Sequence, residues 1–291
     1  MTQLAPVRRK HRRPILRLNW FYLWMLPVAL LMMLPIVYTV SFAFKPLEEL
    51  FLFPPPLLPK RPTTDNFQQL VLATSSMTVP FSRNIYNTVV TSVAVMVGTV
   101  AIGSLAAYPL AKYPLWGKNF VFAVVISALM FSPEVTQIPR YLIVNELGMI
   151  DTFGALIIPN LALPLGLFLM KQFMEGVPTE LLEAARIDGA SEMRIFGQIM
   201  MPLTRPAWAT LAIFSFIPTW NDYFTPLIFT RSESMKTLTL AMQTIGSGAT
   251  TVARYGAVFA AAFLVLLPPI VLFIFMQRRV LDTMAYSGIK S

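Results

Sequence analysis

Long segments without any charged residue are the feature that most constrains how this chain folds. The clearest are residues 18–44, 84–111 and 255–277. A helix needs about 20 consecutive apolar residues to cross the hydrocarbon core of a bilayer. Backbone N–H and C=O groups find no water there, so such segments cross the bilayer as helices. The sequence therefore predicts an all-α polytopic membrane protein.

Composition agrees with this class and excludes several others. Hydrophobic residues make up 56% of the 291-residue chain, charged residues make up 13%, and the mean hydropathy is +0.63. The chain has no Cys and a single His, His11, which lies in a basic tail. Disulfide frameworks, thiolate metal sites and His-based catalytic clusters are therefore excluded. An enzyme within the membrane would need such a constellation, and we find none.

Six transmembrane helices are predicted, although not all with the same evidence. Their expected bounds are 18–43, 85–111, 116–134, 152–171, 206–228 and 255–277. The third is short, because its uncharged run covers only residues 119–133. Pro159, Asn160 and Pro164 predict a kink in the fourth helix, where freed carbonyls need neighbouring partners. Pro268-Pro269 is expected to interrupt the sixth.

Charge placement predicts the orientation of these helices. With six spans, the basic N-tail (1–17), the connector 112–118, the segment 174–205 between spans four and five with Lys171 at its edge, and the C-tail (278–291) lie on one side. That side carries 15 of the 23 Lys and Arg residues, which makes it the cytoplasmic side. The same asymmetry accounts for the net charge of +9 without a nucleic-acid partner. The first span is expected to be an uncleaved helix rather than a signal peptide.

The remaining segments between spans are predicted to lie outside the bilayer without helical structure. Residues 45–83 contain Pro54-Pro55-Pro56 and favour an extended, polyproline-like backbone. Residues 134–151 are expected to form an outer loop. A polar loop around Gly246-Ser247-Gly248 leads to the sixth span.

The most polar stretch of the chain runs from Glu180 to Pro206, between spans four and five. Its first part has the composition of a short amphipathic helix that ends at Gly189, where a left-handed residue is expected. Ser191 is expected to cap a second helix. A simpler interpretation of the charges is that Glu183 and Arg186 form an ordinary i,i+3 helix pair.

This stretch also resembles a known family. Glu183-Ala184-Ala185, then Asp188-Gly189-Ala190, then Pro202-Leu203, resembles the EAA loop of ABC importer permease subunits, and is most similar to the carbohydrate, maltose-type branch. The resemblance covers nearly the whole chain after residue 20. It implies a cytoplasmic coupling helix between helices 4 and 5 that seats in a cleft of a separate ATPase. The coupling residues that it implies are Glu183, Ala184, Ala185, Arg186, Asp188 and Gly189.

The resemblance also implies the partners of the chain. They are a second homologous permease subunit, two copies of a cytoplasmic ATPase, an extracytoplasmic solute-binding protein facing residues 45–83, and a sugar, all in a bacterial or archaeal inner membrane. The chain itself has no G-x-x-x-x-G-K-[ST] motif for holding a nucleotide phosphate. We therefore expect this chain to bind no cofactor, with ATP and Mg on the partner ATPase.

Candidate residues for the solute path are fewer and less specific. The stretch 215–223 supplies aromatic faces and polar groups for a sugar, and two further amides lie within the spans. These candidates are Trp220, Asn221, Asp222, Tyr223, Asn87 and Asn160. Ionisable residues at membrane depth usually serve a function. However, Trp and Tyr also favour membrane interfaces, and a buried Asn often ties two helices together.

Two other transport functions stay open from the residues alone. A permease for another solute, such as a peptide, an amino acid or phosphate, would share the polar connector. An ATP-independent secondary transporter or channel would need no ATPase. The sequence shows neither an inverted repeat nor a chain of carboxylates through the spans, both of which are typical of secondary transporters. The charge of the solute stays open.

Overall fold

The computed structural model describes residues 20–75, 79–247 and 254–288, and every regular element in these ranges is helical. The basic N-tail and the last residues of the C-tail lie outside the described residues. The α-helices are α1 (Trp20–Ala43), α2 (Leu47–Leu50), α3 (Asp65–Ser75), α4 (Phe81–Lys112), α5 (Lys118–Ala128), α6 (Gln137–Glu146), α7 (Phe153–Leu161), α8 (Pro164–Glu175), α9 (Thr179–Ile187), α10 (Glu192–Ile195), α11 (Met201–Leu203), α12 (Arg205–Asn221), α13 (Phe224–Phe229), α14 (Leu238–Ser247) and α15 (Arg254–Gly288). A π-helical turn covers Phe196–Met200, and a 3₁₀ turn covers Glu233–Met235.

Three of these helices, α1, α4 and α15, are long and apolar enough to cross a membrane. The count rises to four if α7 and α8, which meet at a bend of 43°, form one span. The predicted third and fifth spans correspond to α5, with 11 residues, and α12, with 17. Helix α5 is shorter than a full crossing requires, and α12 lies at the lower limit of length. In the described ranges, length and composition thus identify an all-helical membrane protein with three or four spans.

Two of the predicted spans are divided into separate helices. The fourth breaks between α7 and α8, beside the prolines that predict a kink. The fifth, predicted over 206–228, breaks after Asn221. There the Asp222 Oδ1 accepts hydrogen bonds from the N–H groups of Phe224 and Thr225, at 2.9 and 3.0 Å. A carboxylate in this position satisfies free donors of the new helix α13 and so starts it separately.

The expected interruption at Pro268-Pro269 does not occur, and α15 continues past residue 277 to Gly288. Pro269 has no N–H, so the carbonyl of Val265 loses its usual helical donor. The indole Nε1–H of Trp220 donates to that carbonyl instead, at 2.9 Å. A neighbouring helix thus supplies the missing hydrogen bond, and α15 stays unbroken in the apolar interior.

The predicted non-helical segments contain four helices, of which α2 is a single short turn. The proline-rich part, residues 51–64, is non-helical as expected, but α3 follows it once the prolines end. Its Asn66 is buried, and its Nδ2 donates to the carbonyls of Phe42, Ala43 and Lys45 at the end of α1. Helix α6 occupies much of the predicted outer loop 134–151. Helix α14 extends to Ser247, into the predicted polar loop. Helices α3 and α14 pack on the long helices α4 and α15, and α6 packs on α7 and α13. This packing overrides their weak local signals.

Helix α4 is central and packs against α7, α8 and α12. The close approach of α8 to α12 depends on Gly166, because an added Cβ would lie 2.6 Å from the side chain of Leu211. At the end of this contact, one hydrophobic cluster joins α4, α8, α9 and α12. Its members are Ala107, Tyr108, Met170, Met174, Val177, Leu182, Ile195, Met200, Ala207 and Leu211. The cluster fixes α9 against the ends of the long helices.

Candidate functional site

Helix α9 forms the first arm of the polar connector and ends where the sequence predicts. Gly189 has a φ of +80°, a left-handed conformation that only glycine adopts readily. Three backbone hydrogen bonds close the turn: from the N–H of Asp188 to Ala184 O, from Gly189 to Arg186 O, and from Ala190 to Ala185 O. They satisfy the carbonyls left free at the end of a helix. The predicted glycine turn is confirmed.

The two faces of α9 differ sharply in burial. Leu182 is 0% exposed and inserts into the hydrophobic cluster, while Ala185 packs beside it. Glu183, Ala184 and Asp188 are exposed, and Ile187 is 87% exposed. A large apolar side chain in that position has no partner within the described part of this chain. The helix is therefore anchored on one side and free to bind on the other.

A hydrogen-bonded network ties the connector to the end of α4. The Arg186 Nε donates to Glu192 Oε1 at 2.8 Å, and the Arg186 Nη2 donates to the Tyr113 hydroxyl at 3.2 Å. The Tyr108 hydroxyl donates to Glu192 Oε2 at 3.0 Å. Arg186 thus pairs across the glycine turn with Glu192, and not with Glu183 in the simple i,i+3 pair. Sequence reasoning did not single out Glu192.

The charges of this network reinforce one another. The hydrogen bond from Arg186 lowers the pKa of Glu192 to about 2, and the same bond raises the pKa of the Arg186 guanidinium. Both groups are therefore ionised at neutral pH. Ser191 precedes α10 with an extended backbone, but its side chain makes no capping hydrogen bond, so that part of the prediction is wrong. The Glu192 carboxylate turns toward Arg186 and Tyr108.

Two of the predicted solute residues serve as internal ties. Trp220 is 3% exposed, stacks on Phe216 and uses its only donor on Val265. Asn87 is fully buried, and its Nδ2 donates to the carbonyls of Ser234 and Lys236 at 2.8 and 2.9 Å. Neither side chain lines the cavity between α6 and the α7–α8 break. For both, the structure agrees with the simpler alternative, in which the polar group holds elements together.

The other candidates lie closer to the surface. Asn221 is exposed, and its Nδ2 donates to the carbonyl of Ile217 on its own helix. Tyr223 is half-buried and meets the ring of Phe224 edge-on. Asp222, also half-buried, caps α13 through one carboxylate oxygen. The polar and aromatic surface nearest the break after Asn221 therefore consists of the aromatic face of Tyr223 and the second carboxylate oxygen of Asp222.

A half-open cavity of about 670 Å³ lies between the end of α5, helix α6 and the break between α7 and α8. Asn160 lines it, together with Arg140, whose Nη2 donates to Asn160 Oδ1 at 2.6 Å. Burial lowers the pKa of the Arg140 guanidinium, while the negative charge of Asp222 raises it. Asn160 and Asp222, two of the solute-path candidates predicted from the sequence, thus lie near Arg140, which was not predicted. One feature of the sequence could have identified it: Arg140 is the only Lys or Arg between Lys118 and Lys171.

No group of three Asp, Glu or His side chains in the described ranges is arranged to hold a metal ion. The polar features are instead an exposed face on α9 and a cavity at the break between α7 and α8. The sequence profile of the family described as "binding-protein-dependent transport system inner membrane component" matches residues 5–282. The chain belongs to this family. It is the permease component of an ABC import system, a multi-pass inner membrane protein that is not itself the catalytic subunit.

Similar proteins agree with this assignment and confirm the resemblance seen in the sequence. The arabinooligosaccharide transport system permease protein AraQ of Halalkalibacterium halodurans is 30% identical over 269 residues, which cover 90% of this chain and 93% of AraQ. The sn-glycerol-3-phosphate transport system permease protein UgpE of Brucella melitensis is 30% identical over 246 residues, covering 84% and 87% of the two chains.

Solved structures support the fold alone. A chain of a bacterial ABC transporter that imports the acidic polysaccharide alginate matches with a TM-score of 0.76 and 21% identity, over 89% of this chain and 94% of that one. The alginate transporter bound to a pentasaccharide-loaded periplasmic protein matches with a TM-score of 0.57 and 14% identity, over 89% and 93%. The description of the family states that its transport systems depend on a binding protein.

Proposed function

We propose that this chain forms half of the translocation pathway of an ABC importer for a sugar or oligosaccharide, and that α9 docks a separate ATPase. The observation that supports this proposal best is the geometry of α9. Leu182 anchors the helix in the core, while the side chains of Glu183, Ala184, Asp188 and Ile187 are exposed. A short helix with a slim exposed face suits a cleft on another protein.

The similar proteins support a carbohydrate-related solute. Those named above transport arabinooligosaccharides, sn-glycerol 3-phosphate or alginate, which are sugars or a polyol phosphate. A permease for a chemically unrelated solute is the remaining alternative. The ATP-independent transporter considered from sequence does not fit a member of a binding-protein-dependent ABC family.

In this proposal the pathway has six spans. Helices α1, α4 and α15 supply three, the bent pair α7–α8 supplies a fourth, and α5 and α12 extend through their neighbouring turns to supply the rest. Both termini and α9 face the cytoplasm. The complex also contains a second homologous permease and two ATPase subunits, which hold the ATP and Mg. Residues 45–83 face an extracytoplasmic solute-binding protein in a bacterial or archaeal cytoplasmic membrane.

The network around Glu192 supplies a route for coupling. Because Arg186, Glu192 and Tyr108 join the connector to α4, a displacement of α9 acts on the central helix of the fold. Closure of the ATPase dimer would then shift α9 and α4 together. The breaks between α7 and α8 and between α12 and α13 are the points where the pathway can bend between inward-open and outward-open states.

The decisive test is purification of the tagged chain from native membranes in a mild detergent, with mass spectrometry of the companions. We expect an ATPase and a second permease subunit in the complex. An accompanying binding protein can then be screened for the sugar it holds. A chain that purifies alone, in several detergents and with ATP added, would contradict the proposal.

A further inference from the structure

The cavity at the α7–α8 break has the size and chemistry of a small-molecule site. Its volume of about 670 Å³ lies within the range that binds ligands of a few hundred daltons. Most of its wall is apolar, formed by residues such as Phe131, Ile143, Ile158 and Leu163. Arg140 supplies the positive charge among these apolar residues, with the amide of Asn160 beside it.

The charge of Arg140 is poorly compensated by the protein. Its hydrogen-bond partner is the neutral Asn160 amide, and in the described part of the chain no carboxylate lies within 4.0 Å of its guanidinium. Asp222 acts on it only at longer range. A guanidinium has five N–H donors. Charges that proteins bury are normally paired, so a half-buried arginine with one neutral partner is suited to binding an external anion.

We propose that Arg140 is an anion-recognition residue in this cavity, and that the importer carries saccharides or polyols bearing a carboxylate or a phosphate. This inference rests on the proposed function and narrows its solute class. Carboxylate and phosphate oxygens share the geometry that a guanidinium binds with two parallel hydrogen bonds. The apolar wall would contact the C–H surfaces of the solute and keep the ion pair away from water, which strengthens it.

Asn160 positions the guanidinium in this arrangement. Its Oδ1 accepts from Arg140, while its Nδ2 donates to the carbonyl of Leu156 at 2.9 Å, which fixes the direction of the amide. The amide therefore holds one edge of the guanidinium and leaves the remaining donors for the solute. Replacing the neutral amide with a carboxylate, as in Asn160→Asp, would pair the Arg140 charge internally.

The test is uptake into proteoliposomes that contain the purified complex, with ATP inside and the binding protein outside. Labelled digalacturonate and glycerol 3-phosphate serve as anionic probes, and galactobiose and arabinobiose serve as neutral ones. We expect the wild-type complex to import at least one anionic probe faster than either neutral probe. Arg140→Gln should lower the anionic-to-neutral ratio about tenfold, the equivalent of losing one hydrogen bond to a charged group.

Two further variants separate charge recognition from folding. Arg140→Lys keeps a point charge and should lose less of the ratio than Arg140→Gln, while Asn160→Asp should lower the ratio although Arg140 is intact. If Arg140→Gln does not assemble, Asn160→Asp decides the question. Arg231→Gln removes an exposed arginine outside the cavity and should leave the ratio within about twofold of wild type.

Several outcomes would overturn the inference: a wild-type complex that imports neither anionic probe, one that prefers a neutral probe, or an unchanged ratio in both Arg140→Gln and Asn160→Asp. Co-purification of the ATPase is measured on the same preparations. An intact complex that transports only neutral sugars would refute the anion inference alone. Absence of the ATPase from the wild-type preparation would refute the proposed function itself.

Discussion

Gly189 and Gly197 form a matched pair for testing the connector at the scale of one residue. An added Cβ would meet no atom within 4 Å at either position, but only Gly189 has a positive φ. Forcing a β-branched residue into the left-handed conformation costs about 1–2 kcal/mol. Gly189→Val should therefore weaken ATPase docking roughly five- to thirtyfold, measured by titrating the ATPase onto the purified permease complex. Gly197→Val should dock normally, and normal docking of Gly189→Val would contradict the role of the turn.

Arg186 and Glu192 offer a second test at this scale, a double-mutant cycle. Glu192→Gln, Arg186→Gln and the double variant are compared by thermal unfolding of the detergent-solubilised complex. Because the pair is partly exposed, we expect a coupling free energy of only about 0.5–1 kcal/mol. Additive effects of the two single variants would show that the pair does not stabilise the connector. Glu180→Gln, an exposed carboxylate on α9, is the control.

The same pair has a defined pH dependence. The folded-state pKa of Glu192, about 2, lies below its ordinary value of 4.5. Its contribution to stability is therefore complete above pH 4.5 and is lost as the pH falls toward 2. We expect ATPase docking to be unaffected by this group between about pH 6 and 8, where the carboxylate stays ionised in both states. The affinity of the ATPase is measured across that pH range with the wild type and with Glu192→Gln. A pH dependence that is present in the wild type and absent from Glu192→Gln would contradict this expectation.

At the scale of elements, a hydrogen bond from α12 to α15 replaces the backbone hydrogen bond that Pro269 cannot form. Trp220→Phe keeps the aromatic stacking on Phe216 but leaves the Val265 carbonyl without a donor. We expect a loss of about 1–3 kcal/mol, the usual effect of an unsatisfied buried polar group. The measurement is the melting temperature of the purified complex.

A second substitution makes that test specific. Pro269→Ala restores a backbone N–H at the position that normally bonds the Val265 carbonyl, so it should recover much of the stability lost in Trp220→Phe. Pro268→Ala is the matched control, since its N–H would serve the carbonyl of Leu264 instead. Equal rescue by both alanine variants, or by neither, would count against the proposed repair.

At the scale of the whole molecule, the absence of Cys allows its topology to be mapped directly. Leu57→Cys and Ile187→Cys place single thiols at sites that are 59% and 87% exposed. With a membrane-impermeant maleimide, we expect Leu57→Cys to be labelled in intact cells and Ile187→Cys only after permeabilisation. Bound ATPase should protect Ile187→Cys. Labelling of Ile187→Cys from outside would reverse the proposed orientation.

The sequence by itself determined the features that depend on local composition. Uncharged runs predicted the long helices α1, α4 and α15, because the apolar interior of a bilayer admits little else. Gly189 predicted the end of α9, because its left-handed backbone is a property of that one residue. The pattern around Glu183-Ala184-Ala185 led to the right family. Helices α3, α6 and α14 were missed, because their stability comes from packing on other elements and not from their own periodicity.

Only the tertiary structure decided which polar groups meet. Trp220 pairs with a carbonyl 45 positions away, Tyr108 with a carboxylate 84 positions away, and Arg140 with an amide 20 positions away. No helical period links such residues; they meet because α12 packs on α15, and because the helix pairs α4 and α10 and α6 and α7 lie side by side. Packing of this kind depends on the shapes of many side chains at once. It brought the indole of Trp220 to the carbonyl of Val265 and placed Arg140 in the wall of the cavity.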